Sequence, residues 1–422
     1  MTALLEAAIF IFYLILFSYL VATIPFFKNS GLKPWQLITL FWIKVVAGVA
    51  YALFYKLPKY YEGSDTWRFY RLSLKEKQWL LEDPVAFIKD LFVHGYDTPG
   101  NLFAGENSYW NDLKSNVPVK LMACMNVVTN NSYYTNVILF NFIFFIGLIA
   151  LYKVLDEIFP GKKLMVVACI FLLPSALFWC SGIHKDGLIL SALGMIVFCC
   201  YGGFQERFTV SRISIVIFCT ILIFSLRNYV TIALLPALLC WYLTSQFPKH
   251  KIAVYSIIYL FGGVAFFSAK YISPKLDFPK YIAEKQSEFA SLEGTSTVKL
   301  NSLQPSVKGF VSYLPQALDM AFLRPHITEA KNFSYIPAAL ENILLIFIFV
   351  LALFKARKVF GNSTILFCLF LSITLLLLAG YTITLSGAIV RYRSISLPLL
   401  ITPLLCSVSF KKSGENNLKL QT

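Results

Sequence analysis

The chain has 422 residues, of which 58% are hydrophobic and 14% charged, with a net charge of +15 and a mean hydropathy of +0.67. A soluble globular domain carries about 25% charged residues, so this composition excludes an ordinary soluble domain and predicts a polytopic membrane protein. The positive charge does not indicate a nucleic-acid partner, because Lys and Arg in such proteins mostly lie in cytoplasmic loops.

Eleven apolar runs are long enough, or nearly so, to cross a bilayer as helices. Few of them alternate as barrel strands do, so we predict an all-α transmembrane bundle that forms one integral membrane domain, 1–422. The runs cover roughly 3–26, 35–56, 133–153, 164–182, 187–204, 211–226, 228–247, 252–271, 336–356, 362–380 and 393–410.

The short loops at one set of helix ends are much richer in Lys and Arg than those at the other set. The rich set carries Lys28, Lys33, Lys153, Lys162, Lys163, Arg207, Arg212, Lys249, Lys251, Lys355, Arg357, Lys358, Lys411 and Lys412. Since positive residues mark cytoplasmic loops, these ends are predicted to be cytoplasmic. Eleven spans then leave the N-terminus outside and the C-terminus in the cytoplasm.

Two long segments, 57–132 and 272–335, fall on the predicted outer face. Each contains short patches that are apolar on one side, namely 84–92, 117–127 and 311–325. These patches are too short to span a bilayer, so we expect them to lie along its interface. Loops of this length with their own helices are more often functional than simple connectors.

A very short hairpin interrupts the apolar sequence at Ser181-Gly-Ile-His-Lys-Asp-Gly187, between two runs of nearly spanning length. It is expected to place His184, Lys185 and Asp186 at the outer membrane surface. Two interpretations remain open, since charges at such a turn can cap a helix or can form one wall of a site. For His184, a capping or interfacial position is the more common one.

The outer helix ends carry charges of both signs, although the positive-inside pattern depletes Lys and Arg there. They are Asp65, Arg68, Arg71, Lys185, Asp186, Arg227, Arg324, Arg391 and Arg393. Arginine forks bind diphosphate oxygens in bidentate fashion, so diphosphate binding is assigned to Arg227, Arg324, Arg391 and Arg393, with Lys185 assisting. Asp65 is the first choice for a general base. Asp186 is the second, because it could instead pair with Lys185.

Other side chains of the first outer segment suit the substrate itself. Trp67 and Tyr70 could stack on sugar faces, with Arg68 and His184 nearby, although aromatic residues are expected at any membrane interface. A single outer Arg that snorkels to headgroups is also common, and Asp65 could simply cap a helix. Neither a metal site nor another cofactor is expected, since no ligand spacing occurs among the four His and nine Cys.

Three motifs together resemble a known family. Gly63-Ser-Asp-Thr-Trp-Arg-Phe-Tyr70, the stretch Pro174-Ser-Ala-Leu-Phe-Trp-Cys-Ser-Gly-Ile-His-Lys-Asp186 and Arg391-Tyr-Arg393 are similar to motifs of bacterial exopolysaccharide and O-antigen polymerases of the EpsG/Wzy type. More broadly, the layout resembles the GT-C class of membrane glycosyltransferases. The acidic motif follows the second span here, whereas typical GT-C enzymes have it after the first, which favours a polymerase.

The resemblance implies a bacterial inner-membrane enzyme that joins lipid-linked repeat units on the outer face. It implies a polyprenyl-linked saccharide donor and a glycan acceptor as partners, and leaves open a partner that regulates chain length. The rival interpretation is a transporter or flippase of lipid-linked sugars, although transporters keep their charges nearer mid-membrane. A third interpretation, a structural subunit, would require the outer arginines to be incidental.

Overall fold

The computed structural model describes residues 3–408 except 94, 96–99, 101, 103–107, 293–296, 330–335 and 356–360. Within these ranges the chain consists of helices joined by turns and loops, and Thr297 pairs with Leu385 in an isolated β-bridge. The helices of the first half are α1 (Ala3–Thr23), α2 (Pro25–Lys28), α3 (Pro34–Lys56), α4 (Pro58–Tyr61), α5 (Asp65–Glu82), α6 (Pro84–Lys89), α7 (Tyr109–Val128), α8 (Tyr133–Ile158), α9 (Lys163–Phe171) and α10 (Pro174–Trp179).

The helices of the second half are α11 (Lys185–Gln205), α12 (Val210–Leu226), α13 (Asn228–Gln246), α14 (Lys251–Ser268), α15 (Phe278–Ser291), α16 (Val307–Leu318), α17 (Ile336–Lys355), α18 (Ser363–Thr382), α19 (Ser386–Arg393) and α20 (Leu397–Ser407). A π-helical turn, Asp319–Leu323, follows α16 directly. The prediction of an all-α fold is therefore confirmed for the described residues.

Among the described residues, eight helices are long and apolar enough to cross a bilayer, namely α1, α3, α8, α11, α13, α14, α17 and α18. Helices α19 and α20, bent by 68° at their junction, count as a ninth span if they are taken together. Of the two remaining predicted spans, one is the 17-residue α12, and the other is divided into α9 and α10. The protein is thus a multi-pass membrane protein, while the number of eleven spans stays a prediction.

The division of one predicted span into α9 and α10 follows from Pro174. Proline has no backbone N–H and disfavours the helical conformation of the residue before it. Leu173 accordingly takes extended dihedrals (φ −60°, ψ 120°), and α10 begins at Pro174. The chain therefore turns before it reaches the hairpin at 181–187, so the hairpin is approached by a helix of only six residues.

Helices α8 and α11 form the centre of the bundle. In their most apolar windows, 78% and 72% of the residues are buried, against 11% for α1 and 6% for the helix around α14. Small residues bring the two backbones together: a Cβ added at Gly147 would lie 2.1 Å from Ser191 O, and one at Gly194 would lie 2.1 Å from Gly147 O. Such close approach is how membrane helices gain packing energy where lipid is as apolar as their side chains.

The helix ends group into two sets, as the distribution of Lys and Arg predicted. At one end of the bundle, Lys162 Nζ donates to Cys406 O and Val408 O at 2.5 and 2.7 Å. Lys251 Nζ likewise donates to Gly361 O at 2.6 Å. The other set of ends meets around Asp65 and the hairpin 181–187.

The described part of the segment 57–132 contains helices that pack on one another. In α5, Ser73 Oγ accepts a hydrogen bond of 2.8 Å from Asn126 Nδ2 of α7. Lys120 of α7 forms ion pairs with Glu76 at 2.9 Å and Asp90 at 3.1 Å. The predicted patches 84–92 and 117–127 correspond to α6 and to part of α7, and 311–325 to α16 and the π-helical turn. The 18-residue helix α5 was not predicted.

Candidate functional site

Asp65 is the first residue of α5, and the short helix α4 separates it from the end of α3. Its Oδ2 lies 3.1 Å from His184 Nε2 and accepts a hydrogen bond of 3.0 Å from Arg391 Nη2, and its side chain is 36% exposed. Burial raises the pKa of this carboxyl, but the hydrogen bond to His184 and the positive charge of Arg391 outweigh burial and hold the pKa well below its usual range. Asp65 is therefore a partly accessible carboxylate at neutral pH.

The hairpin supplies His184 and Asp186, both of which are fully buried. His184 is the N-cap of α11, and its Nδ1 lies 3.3 Å from the backbone N of Asp186 and 2.8 Å from Asp186 Oδ2. The imidazole thus lies between two carboxylates, with Asp65 at one nitrogen and Asp186 at the other. The ring of Phe69 stacks on His184 with centroids 6.2 Å apart, which fixes the plane of the imidazole.

Two polar side chains from neighbouring spans hold the hairpin in place. Lys44, which is buried within α3, donates to Cys180 O at 3.1 Å and to Ser181 Oγ at 2.8 Å. Asn141 of α8 donates to Ser181 O at 2.8 Å. Lys44 lies inside an apolar run, and its charge is accounted for by the carbonyl at the end of α10 and the neighbouring hydroxyl that accept from it.

Arg227 joins α12 to α13 and is buried beneath the hairpin. Its Nη2 lies 2.5 Å from Asp186 Oδ1, an ion pair that lacks the alignment of a hydrogen bond, and its Nη1 donates to Tyr229 Oη at 2.9 Å. Burial alone would lower the pKa of this guanidinium, but the charge of Asp186 raises it above its usual value. Its Cζ also lies 4.3 Å from the centre of the Tyr392 ring, which stabilises the cation further.

Arg391 of α19 links the two carboxylates. Its Nε donates to Asp186 Oδ2 at 3.1 Å, while its Nη2 donates to Asp65 and lies against His184 Nε2. The side chain is 22% exposed, and no described residue contacts Nη1 through a hydrogen bond or ion pair. Asp65, His184, Asp186, Arg227 and Arg391 therefore form one connected set of charges, which we term the ionic network.

Lys185 lies at the edge of the ionic network. It is partly exposed and forms no hydrogen bond or ion pair with any described residue, although Asp65, Asp186, Arg227 and Arg391 all act on it electrostatically. The pairing of Lys185 with Asp186 that the sequence left open does not occur, because Arg227 and Arg391 occupy that carboxylate. Lys185 is thus a free cation at the accessible edge of the site.

Arg393 is directed away from the ionic network, although it lies only two residues from Arg391. Residues two apart on an α-helix are separated by roughly 200°, so their side chains leave opposite sides. Arg393 is buried and donates to Arg324 O at 2.8 Å and to Asn342 Oδ1. Asn342 in turn donates to Leu323 O and Pro325 O at 3.1 and 3.0 Å, so this pair fixes the chain around Arg324.

Arg324 is also not brought into the ionic network. Its Nε donates to Asp319 Oδ2 at 2.6 Å, and its Nη1 donates to Glu329. His326 Nε2 lies 2.9 Å from Asp319 Oδ1 and completes this separate group. Two carboxylates engage the guanidinium of Arg324 here, and its role in diphosphate binding stays a prediction.

Two of the three α5 residues that the sequence predicted to bind sugar make contacts within the protein. Trp67 is buried, donates to Ala52 O at 3.2 Å and stacks on Tyr133 with centroids 4.1 Å apart. Tyr70 donates to Asn131 O at 2.7 Å. Both side chains attach α5 to the bundle, whereas Arg68 is exposed and forms no hydrogen bond with a described residue.

Three aromatic residues that sequence reasoning missed border the ionic network. Tyr51 and Tyr55 of α3 have ring centroids 4.8 Å apart, and Trp179 of α10 lies 5.8 and 6.0 Å from them. We term these three residues the aromatic wall. The sequence contained a signal for the two tyrosines, because one helix face of α3 carries Lys44, Gly48, Tyr51 and Tyr55. The first two of these residues contact the hairpin.

Two open concavities of about 590 and 360 Å³ lie at the opposite end of the bundle, next to Glu206 and Arg212. Arg212 is already engaged there by Gly202 O, Arg207 O and Glu206. The ionic network is the better candidate because it combines a free cation with a partly exposed carboxylate.

The ionic network can bind an anion and accept a proton at neighbouring positions. Among the residues described, no group of three or more His, Cys, Asp or Glu is arranged to hold a metal ion. The fold and the site define a multi-pass helical membrane protein with a charged site at one end of its bundle. No protein-family model matches the chain, and neither a curated protein nor a solved structure matches it significantly.

Proposed function

We propose that the protein is a membrane glycosyltransferase that acts as a polysaccharide polymerase. It would transfer a sugar or oligosaccharide from a polyprenyl (di)phosphate carrier to a glycan acceptor. The observation that carries this proposal is the accessible edge of the ionic network, where Asp65, Arg391 and Lys185 lie together. One carboxylate beside two cations is what glycosyl transfer from a diphosphate requires, since a proton must leave and an anion must be stabilised.

The buried part of the ionic network supports this role by fixing the orientation of Arg391. Arg227 neutralises Asp186 from below, and Asp186 holds Arg391 through Nε. Nη1 is then available to an incoming anion, which can also compete with Asp65 for Nη2. A guanidinium held in this way binds diphosphate oxygens in bidentate fashion and loses little side-chain freedom in doing so.

Donor binding would also activate Asp65 as a base. In the unliganded protein, Arg391 and His184 hold Asp65 strongly ionised, so it accepts a proton only weakly. A diphosphate that engages Arg391 and Lys185 competes for this positive charge and brings its own negative charge. Both effects raise the proton affinity of Asp65, which becomes an effective base only when the donor is present.

In the proposed step, the acceptor hydroxyl oxygen forms a bond to the anomeric carbon of the donor sugar. The bond from that carbon to the diphosphate oxygen breaks, and its electron pair leaves with the diphosphate. Asp65 takes the hydroxyl proton, while Arg391 and Lys185 stabilise the departing charge. Asp186 is too deeply buried to reach an acceptor and instead holds Arg391 and His184 in position.

We also propose a bacterial inner-membrane location, with the N-terminus outside, the C-terminus in the cytoplasm and the ionic network on the outer face. The concentration of short-loop Lys and Arg at the opposite end supports this orientation. In intact cells free of native cysteines, an impermeant thiol reagent should label Glu62→Cys and spare Arg207→Cys. The reverse labelling would refute the orientation.

The proposed function is tested by a transfer assay with purified full-length protein and polyprenyl diphosphate bearing an oligosaccharide. We expect longer carrier-linked glycans, and we expect Asp65→Asn to lower their rate of formation by about 10²–10⁴-fold, because it removes the base. Donor binding by Asp65→Asn should persist. Glu62→Gln, an exposed neighbour, serves as the matched control and should keep full activity.

Two outcomes, one of this assay and one of a vesicle transport assay, contradict the proposal in different ways. Normal chain production by Asp65→Asn would exclude Asp65 as the base. Movement of glycosylated carrier across vesicle membranes without any chain extension would refute the transferase and support the flippase.

A further inference from the structure

The aromatic wall carries polar groups that have no partner in the described part of the chain. Neither the hydroxyls of Tyr51 and Tyr55 nor the indole N–H of Trp179 forms a hydrogen bond with a described residue. Tyr51 is nevertheless 2% exposed, and Tyr55 and Trp179 are only partly exposed. These polar atoms are not among the buried side-chain atoms that lack a partner, so they are accessible to a ligand. A ligand that covered them without accepting their hydrogen bonds would lose roughly 1–3 kcal/mol for each donor left unsatisfied.

The same side chains face the ionic network. The centre of the Trp179 ring lies 5.8 Å from Arg391 Cζ, and the Tyr55 hydroxyl interacts electrostatically with Arg391, Asp65 and Asp186. The Tyr51 ring packs directly on Gly182, where an added Cβ would lie 2.2 Å from Cδ1 of the tyrosine. The wall is therefore fixed relative to the hairpin that supplies His184 and Lys185.

We infer that the aromatic wall of Tyr51, Tyr55 and Trp179 binds the pyranose ring that adjoins the phosphate held by Arg391 and Lys185. This inference rests on the proposed function and names the subsite that recognises the sugar of the donor. A pyranose offers an aliphatic face to an aromatic ring and hydroxyls to the phenol and indole donors. The site would thus bind the sugar at the aromatic wall and the phosphate at Arg391 and Lys185, next to each other.

The hydrogen-bond donors of the aromatic wall favour a sugar over an isoprenoid chain as its ligand. An isoprenoid chain packed on the wall would leave three donors without partners in a dry environment, which is costly. Sugar hydroxyls satisfy the same donors. Trp67 and Tyr70 cannot replace the wall, because backbone carbonyls already accept their N–H and O–H groups.

The test measures binding to the full-length protein in lipid nanodiscs by ligand-observed NMR. The soluble probes are inorganic phosphate and the 1-phosphates of glucose, galactose and N-acetylglucosamine. We expect at least one glycosyl phosphate to bind more tightly than phosphate. Tyr55→Phe removes one hydrogen-bond donor and Trp179→Leu removes one aromatic contact. Each should reduce this gain by about 2–10-fold and should leave phosphate binding unchanged.

Tyr19→Phe is the matched control, because Tyr19 is 64% exposed on α1 and should leave every affinity unchanged. The inference is wrong if all four probes bind wild type equally. It is also wrong if the wall variants change phosphate and glycosyl phosphate affinities by the same factor, which would mean that the wall only positions Arg391.

A second pair of probes distinguishes the occupants and the two proposals. Polyprenyl diphosphate is compared with the same carrier bearing N-acetylglucosamine. If Trp179→Leu weakens both carriers equally, the wall holds the isoprenoid and the sugar subsite is refuted. If sugar phosphates bind in a wall-dependent way but no glycosyl transfer occurs, the subsite is supported and the transferase is refuted. If transfer occurs and the wall variants do not change it, the transferase is supported and the subsite is refuted.

Discussion

Arg391 Nη2 lies 3.0 Å from Asp65 Oδ2, although 326 residues separate them in the chain. This contact joins α5 to α19, the first helix of the bent pair. The hairpin lies between the two, since His184 contacts Asp65 and Asp186 contacts Arg391. The candidate site is therefore formed by distant parts of the chain, and each part lies at the end of a different helix.

Replacement of Arg391 tests its proposed role in stabilising the leaving diphosphate. Arg391→Lys keeps the charge but removes the planar fork, so turnover should fall by roughly 10²–10³-fold if the contact acts on transition-state charge. The measurement is the rate of chain extension with saturating glycosylated carrier. Arg71→Lys is the control, because Arg71 is exposed and only covers the Tyr61 ring. Equal turnover in Arg391→Lys and wild type would exclude this role.

Replacement of Arg393 separates a structural role from the diphosphate-binding role that the sequence predicted. Arg393→Met leaves Arg324 O and Asn342 Oδ1 without their donor, at a cost of roughly 1–3 kcal/mol. We expect a lower thermal unfolding temperature in detergent, with turnover per folded molecule close to wild type. An unchanged unfolding temperature together with lost turnover would instead mean that Arg393 acts on the substrate.

The spans and the hairpin could be predicted because their signals are local. Apolar length alone indicates a membrane helix, and Lys and Arg in short loops group the helix ends. The break at Pro174 is also local, yet the apolar run through it was interpreted as one span. Helix α5 was missed because its sequence is mixed in polarity, and only its packing on α7 accounts for its length.

The site was predictable only in part because its assembly depends on side-chain direction. The sequence indicated that Asp65, Asp186, Arg227 and Arg391 lie at one end of the bundle, and these four belong to the ionic network. It grouped Arg393 with Arg391, since the helical conformation of α19 is not apparent from a short polar stretch. Tyr51 and Tyr55 were hidden in an apolar run, where aromatic residues ordinarily face lipid or core.

Dependence of the rate on pH tests whether the donor activates Asp65. In the free protein the pKa of Asp65 is depressed, so kcat/KM should show no loss from this group between about pH 5 and 8, well above the ordinary Asp pKa of about 3.9. Donor binding raises that pKa, so kcat should fall as the pH decreases through the raised value, and its acid limb should lie at higher pH than that of kcat/KM. Coincident limbs would refute the activation.

Because the pKa of Asp65 is depressed in the folded protein, its ionised form increases the free energy of unfolding. Stability from the ionised carboxylate is fully present above the unfolded-state pKa of about 3.9 and is lost as the pH falls toward the lower folded-state value. Acid sensitivity of kcat near neutral pH can therefore be separated from unfolding. Thermal unfolding of the same samples should be unchanged between about pH 5 and 8 as far as Asp65 is concerned.

The close contact between Gly182 and Tyr51 links the hairpin to the aromatic wall. A Cβ at Gly182 would lie 2.2 to 2.5 Å from ring atoms of Tyr51, so Gly182→Ala must displace the ring or the hairpin. Overpacking of this kind typically costs about 1–3 kcal/mol. We expect a lower thermal unfolding temperature than that of wild type. We also expect the affinity for glycosyl 1-phosphates to fall more than the affinity for phosphate.

Gly262→Ala is the matched control for this change. Nothing lies within 4 Å of a Cβ at Gly262, and alanine favours a helix over glycine, so this variant should be as stable as wild type or slightly more stable. A second change, Tyr51→Leu, should partly restore the stability of Gly182→Ala by making room for the new methyl group. It should not restore sugar binding, because the phenol is lost. Recovery of both properties would mean that Tyr51 only fills space behind the hairpin.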